Sequence, residues 1–442
     1  MNNPATVPTK LRRHLLPQQF KVETWEQLEP YFHELKARPL HSVNELEKWL
    51  SDLSEITTIL SEERAWRYIR MTCDTANKKY REAYTFFSEE ISPHVELYSD
   101  SFNKKLMDSP YRDQLDKEKY RIYLRDVQND LELFREQNIP LYTQLDNEEQ
   151  KYAAWSGEMT INFDGKELTL QQAVVHLKNN DRPKREKVYL LIHQRRMQDR
   201  EKMDELFNGL IKLRQQIAAN AGFENFRDYM FKAMGRFDYT IQDCFDFHDV
   251  IRTEVVPLIV QMDGQRKRKL NLNSLKPWDL DVDPGQLEPL HPFNDAADLI
   301  NKSIQCFYKV RPFYGQCLET MKDLGRLDLD SRKGKAPGGY NYSLNETGVP
   351  FIFMNAAGVH RDLVTMVHEG GHALHAFLTN HLELNSFKDY PSEVAELASM
   401  SMELISMEHW DVFFKNAEDL KRARREQLEK VIRMLPWIAL VD

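Results

Sequence analysis

Apolar positions recur at helical spacing along most of this chain. Between residues 24 and 136 charged faces alternate with apolar stripes three and four residues apart, clearest over 43–60 and 116–136, and the pattern predicts a succession of amphipathic helices. The period drops to two over 158–170, where Met159-Thr160-Ile161-Asn162-Phe163 and Glu167-Leu168-Thr169-Leu170 flank Asp164-Gly165, a hairpin signal. Helical spacing resumes over 183–219, 224–234 and 240–265. Residues 270–293, rich in Pro, Asp and Asn and carrying Lys276-Pro277-Trp278-Asp279, predict a long loop that lines a surface. A second small β element follows, Gly338-Gly339-Tyr340-Asn341-Tyr342 and Pro350-Phe351-Ile352-Phe353-Met354, divided by the turn signal Asn345-Glu346-Thr347-Gly348. A core-type helix is predicted over 363–380 with Asp362 as its N-cap, and another from Pro391 to about residue 409. The last apolar run, Met434-Leu435-Pro436-Trp437-Ile438-Ala439-Leu440-Val441, is of a kind that expects something to pack against.

Length and composition change this picture modestly. At 442 residues the chain exceeds what one core usually supports, so we expect a large, mainly α, two-lobed protein divided into residues 1–195, a helical lobe with a small hairpin, and 196–442. The formal charge of −9 argues against nucleic acid as a partner, because binding phosphates needs a basic face. Two basic runs, Arg266-Lys267-Arg268-Lys269 and Lys421-Arg422-Ala423-Arg424-Arg425, are expected to be solvated surface. Cys73, Cys244, Cys306 and Cys317 are scattered, which argues against a disulfide framework or a thiolate metal site. No run approaches the roughly 18 apolar residues that span a bilayer, and the first twenty residues lack a secretory apolar region. A reduced cytoplasm is the expected address, with no membrane partner.

The chemistry is concentrated in His368-Glu369-Gly370-Gly371-His372, an H-E-x-x-H pentapeptide inside the predicted core helix. Side chains four apart on a helix lie one above the other, so both imidazoles can reach one tetrahedral cation with the glutamate beside its open position. That is the layout of a zinc peptidase. Gly370 and Gly371 each cost a helix interior about 1 kcal/mol relative to Ala, which implies a neighbour packed too close for a side chain. A catalytic site needs one more protein ligand. His375 would crowd the axis without closing a tetrahedron, and the pattern H-E-x-x-H-x-x-G-x-x-H is absent, since its later positions hold His375 and Leu378. Glu393, Glu396 and Glu403 form a carboxylate stripe on the following helix, and spacing alone leaves the choice among them open.

The motif, followed 24 residues after His372 by Glu396 within Ser392-Glu393-Val394-Ala395-Glu396-Leu397-Ala398-Ser399-Met400, resembles the oligoendopeptidase F branch of the thimet oligopeptidase family. Further matching stretches are Gly334-Lys335-Ala336-Pro337-Gly338-Gly339-Tyr340, Phe351-Ile352-Phe353-Met354-Asn355, Ala221-Gly222-Phe223 with Asp228-Tyr229, and Trp155 through Leu168; the likeness runs from about residue 110 onward. It implies a helical body with a central channel for short peptides, one zinc ion held by His368, His372 and Glu396, and Glu369 as general base. The family carries a further segment with histidine and tyrosine donors to the reacting carbonyl, beyond the last residue here. Two readings are therefore carried forward: a zinc-dependent endopeptidase of oligopeptides, and a catalytically impaired zinc-containing peptide-binding protein or fragment of a longer peptidase. Gly338, Gly339, Tyr340 and His375 are expected to touch substrate, the strand 351–354 to pair with its main chain, and Glu403 to orient a ligand imidazole.

Overall fold

The computed structural model describes residues 12–441. The fold is mainly α, with two small sheets. The helix Val43–Cys73 is capped by Ser42, which accepts from the Glu45 backbone N–H, and it runs well past the predicted residue 60 because Ala65, Ile69 and Met71 continue its buried stripe. Together with Trp25–Ala37, Ser92–Met107 and Lys117–Leu133 it encloses an N-terminal core of Phe32, Leu46, Trp49, Ile56 and Phe102. A second core, around Phe307, Leu318, Ile352, Val364, Val367 and Trp410, fills the later part of the chain. Residue 195 lies inside the helix Arg182–Gln198, so the expected division there does not coincide with a break between elements.

The predicted hairpin forms from β1 (Thr160–Phe163) and β2 (Lys166–Thr169), antiparallel with Phe163 opposite Lys166. Asp164 and Gly165 both take positive φ, 49° and 76°, as a tight two-residue hairpin turn demands. The second sheet is larger than expected. β3 (Leu327–Asp330) pairs in parallel with β5 (Phe351–Ala356), and β4 (Tyr340–Tyr342) pairs antiparallel on the other side, giving the order β3-β5-β4. The expected pair is β4 with β5; β3 escaped notice because four residues, Leu327-Asp328-Leu329-Asp330, alternate too briefly to stand out. With β5 in the middle, the strand 351–354 has no free edge for a peptide main chain, which corrects the expectation of pairing there.

Other corrections have local causes. The helix expected at Leu363 begins at His360, and Asp362 sits inside its first turn, where it accepts from the backbone N–H groups of Ala357 at 2.8 Å and Val359 at 3.0 Å. The helix after Pro391 ends at Ser406 and passes into a 3-10 turn, Met407–Val412. The loop 270–293 is pinned by charge: buried Asp279 accepts from Arg182 and Arg185 at 2.9–3.0 Å. The basic runs are not wholly solvated, because Arg266 donates to the Val282 carbonyl and Arg422, 8% exposed, pairs with Asp283 on the same loop. The terminal run lies in the helix Ala417–Val441 with Trp437, Leu440 and Val441 exposed. Cys73, Cys306 and Cys317 are free thiols, and no helix among the described residues is long and apolar enough to cross a membrane.

The lobes are tied together beside the second sheet. Glu62 of the helix Val43–Cys73 accepts from the backbone N–H of Glu346 (2.9 Å) and Thr347 (2.8 Å), clamping the turn between β4 and β5. Lys335, its side chain fully enclosed, donates to Asp328 Oδ1 (2.9 Å) and to the carbonyls of Asp328, Asp330 and Met354, stitching the approach to β4 onto β3 and β5. Lys335→Met is expected to cost about 1–3 kcal/mol in urea unfolding, because the carbonyls of Asp328, Asp330 and Met354 lose their shared donor while Asp328 keeps Arg332. Burial alone would raise the Asp328 carboxyl, but hydrogen bonds from Arg332, Cys73 and Lys335 hold it well below the ordinary carboxylate range. A depressed folded pKa stabilises fully above the unfolded value of about 3.9 and loses that contribution as pH falls below it. Asp328→Asn should therefore lower stability at neutral pH and flatten its decline below about pH 4, as read from midpoints of unfolding at a series of pH values.

Candidate metal centre

The site is made where two helices touch. His360–Thr379, the metal helix, and Ser392–Ser406, the facing helix, make the most extensive contact between elements in the molecule, and Gly371 is the reason they can. A Cβ on Gly371 would lie 2.7 Å from Ser399 Cα and 2.9 Å from the Ala398 carbonyl, both backbone atoms. On the neighbouring face a Cβ on Gly370 would meet the Phe307 ring at 2.5 Å. Both glycines thus permit the close approach that their cost in a helix implied.

That approach brings Glu396 opposite the two imidazoles. His368 Nε2 lies 3.5 Å from Glu396 Oε2, and His372 Nε2 lies 3.7 Å from Glu396 Oε1. Among the described residues this trio is the one group whose donor atoms, all within 4.8 Å of one another, suit a metal ion. Of the three glutamates left open by spacing, Glu393 instead accepts from the Tyr239 hydroxyl at 3.1 Å. Glu403, two turns beyond Glu396 and buried, lies 2.8 Å from His368 Nδ1. Gln427 and Lys430 from the helix Ala417–Val441 hold its other oxygen. The carboxylate claims Nδ1 and leaves Nε2 turned to the trio.

Electrostatics in the site follow from burial and from this ring of carboxylates. Burial disfavours charge on His368, but Glu403, Glu369 and Glu396 more than offset it, so its pKa is raised. A place that favours a proton on Nε2 favours any cation there. Burial, reinforced by His368 and His375, pushes His372 down to about 4, which keeps its imidazole neutral and its lone pair free. Burial in the main raises Glu369 to about 7, while the backbone N–H of Asn341 on β4 works against that rise. Two neutralisable imidazoles and a carboxylate make a donor set that fits a divalent zinc-like cation.

The other expected contacts are distributed as follows. A Cβ on Gly339 would stand 3.5 Å from Glu369 Oε1, so its backbone passes beside the carboxylate. Gly338 takes φ 90°, and its carbonyl is held by Asn355 Nδ2 at 2.9 Å. Tyr340 turns to the opposite side of β4, with its hydroxyl bound to Thr72 (2.7 Å) and its ring stacked on Phe353. His375 stacks on Tyr390 at 4.2 Å, one turn beyond His372. Sequence reasoning missed Lys335, Asn341, Asn355, Gln427 and Lys430, which shape the site from a distance; no periodicity marks such residues. A cavity of about 530 Å³ among the N-terminal helices is lined by Arg64, Glu96, Asp130, Tyr142, Asp146 and Tyr229, and none of the trio lines it.

Two facing helices bearing two imidazoles and a carboxylate, with the buried carboxyls of Glu369 and Glu403 beside them on a mainly α frame, have the makeup of a metallopeptidase-type centre. The chain belongs to peptidase family M3, whose pattern matches residues 175–436, with the family's N-terminal domain matching 17–134. Among curated relatives it is 27% identical over 153 residues to the chromosomal oligoendopeptidase F of Lactococcus lactis subsp. cremoris, and 28% identical over 171 residues to oligopeptidase PepF of Bacillus subtilis. Those alignments cover 35% and 38% of this chain and 25% and 24% of the relatives, about a quarter of their length. The structure of PZ peptidase A with an inhibitor superposes with a TM-score of 0.90 at 25% identity, covering 95% of this chain and 75% of that one. A candidate oligoendopeptidase F from Bacillus anthracis shares the fold, with a TM-score of 0.90 at 24% identity over 96% of this chain and 77% of that one.

Replacing Glu403 by Gln is expected to weaken zinc affinity about 10- to 100-fold, because the partner that orients and polarises His368 loses its charge. A competition titration of the protein against a chromophoric chelator measures this; unchanged affinity would assign Glu403 a purely structural part.

Proposed function

We propose that this chain is a zinc-dependent endopeptidase acting on short peptides in the cytoplasm. The observation that carries the reading is the convergence of His368, His372 and Glu396 on one point, with Glu369 buried alongside. A zinc ion held by those three side chains would polarise the scissile carbonyl and make water acidic enough to attack near neutral pH. The rest of the chemistry belongs to the chain.

Glu369 takes the proton of the attacking water and returns it to the leaving amine. Its burial suits that exchange, since a carboxyl raised toward neutrality holds and releases a proton at working pH. Glu403 keeps His368 in the tautomer that presents Nε2. Gly339 brings its backbone beside Glu369, where a Cβ would already stand in van der Waals contact with the carboxylate. β4 is an edge strand of its sheet, a place for an extended peptide to align beside Glu369.

Glu369→Gln is expected to keep full zinc content and lose turnover of a quenched peptide by about 100-fold or more. Chelation should abolish the activity of the unaltered chain, and one equivalent of zinc should restore it. Chelator-resistant cleavage, or equal activity in the Gln variant, would refute the mechanism.

A further inference from the structure

Glu369 is 6% exposed, and the donor turned toward its carboxylate is a main-chain group, the N–H of Asn341. Strand geometry explains why. Asn341 stands opposite Ile352 on β5, and Ile352 sends its own N–H the other way, to the Arg326 carbonyl. The N–H and C=O of Asn341 therefore lie on the outer edge of β4. Side chains alternate along the strand: Tyr340 and Tyr342 both pack on Tyr68, so Gly339 and Asn341 take the other face. That face looks at the base, since a Cβ on Gly339 would lie 3.5 Å from Glu369 Oε1 and 3.4 Å from Thr365 Cγ2 on the metal helix.

The side chain of Asn341 is anomalous there. Its Nδ2 is shut off from solvent and has no hydrogen-bond partner. Buried amide donors are nearly always satisfied, and one left over calls for a physical account. Here an unpaired donor and a buried acceptor with lone pairs to spare share one strand face.

We infer that Asn341 is the positioning residue of the base, its side-chain amide donating to the Glu369 carboxylate when that group turns toward the attacking water. The inference rests on the peptidase reading above. The strand then holds the base twice, through N–H and through Nδ2, and holds it without adding charge. A neutral amide does not compete with a cation for the carboxylate, whereas aspartate at the same place would repel it.

The test uses the full zinc-loaded chain and a quenched peptide. Asn341→Leu, similar in volume but without a donor, is expected to lower kcat about tenfold with KM within about twofold and bound zinc unchanged. Asn341→Asp, the isosteric change, should lose at least as much, and Asn341→Gln should recover part of the loss by restoring a donor. A Leu variant whose kcat stays within about twofold of the unaltered chain overturns the inference, given the size of effect such donors have. A second readout needs no turnover. In protein labelled with carboxyl-13C glutamate, the signal missing from Glu369→Gln identifies the base; Asn341→Leu should shift that signal, and a signal that stays in place overturns the inference by itself. An unaltered chain that binds zinc but cleaves nothing would sink the peptidase reading, and the carboxyl signal would still decide whether Asn341 touches Glu369.

Discussion

The contact between Gly371 and the Ser399 backbone sets the geometry on which the site depends. Helix axes usually stay 8–10 Å apart because side chains keep them there. With Gly371 on one side and Ser399 on the other, the metal helix and the facing helix approach until backbone almost meets backbone. Only at that separation can a side chain as short as Glu396 stand within 4 Å of both imidazoles. The glycine thus shapes the trio although it carries none of the three donor atoms. Its counterpart Gly370 lets Phe307 press on the same helix from behind, so the helix is wedged from two sides and its imidazoles have little freedom.

A second constraint comes from the other lobe. The strand beside Glu369 is three residues long, and a strand that short has little stability of its own. It is held by Glu62 on its following turn and Thr72 on the Tyr340 hydroxyl, both far away in sequence, and by Lys335 and Asn355, which fasten the loop that leads into it. Glu62 and Thr72 belong to the N-terminal lobe. The strand beside Glu369 is therefore held in part from the N-terminal helices, whereas Glu369 itself rides on the same helix as His368 and His372.

How much of this was legible in the sequence follows from the range of each interaction. His368 and His372 were readable because their relation is local, one helical turn, and the helix that carries them has an unambiguous apolar face. The tight hairpin at Asp164-Gly165 was readable for the same reason. Glu396 was not separable from Glu393 and Glu403 by spacing, since all three share a stripe; what tells them apart is the crossing of the helices, a tertiary fact. Tyr340 was expected to touch substrate together with the loop that leads into it, whereas pleating sends its side chain to Thr72 and leaves Gly339 and Asn341 on the side of Glu369. The basic runs looked solvated because charge density was read without partners, and Asp279 and Asp283, which anchor the loop they face, lie in a segment with no periodicity at all.

The electrostatics of the centre show what three carboxylates, two of them buried, do when gathered there in spite of their mutual repulsion. Glu369, Glu396 and Glu403 all bear on His368, and each raises the affinity of that place for positive charge. Glu403 is held low by His368 and Lys430, which outweigh its burial, so it stays charged and can keep its grip on Nδ1. Glu369 has no such cationic neighbour among the side chains of its own lobe beyond His368, and burial wins, raising it to about 7. Two neighbouring glutamates are thereby pushed in opposite directions by their surroundings, Glu403 toward the anion and Glu369 toward the protonated form. That division follows from the partners each helix presents, and it would persist if every one of these carboxylates had the same intrinsic acidity.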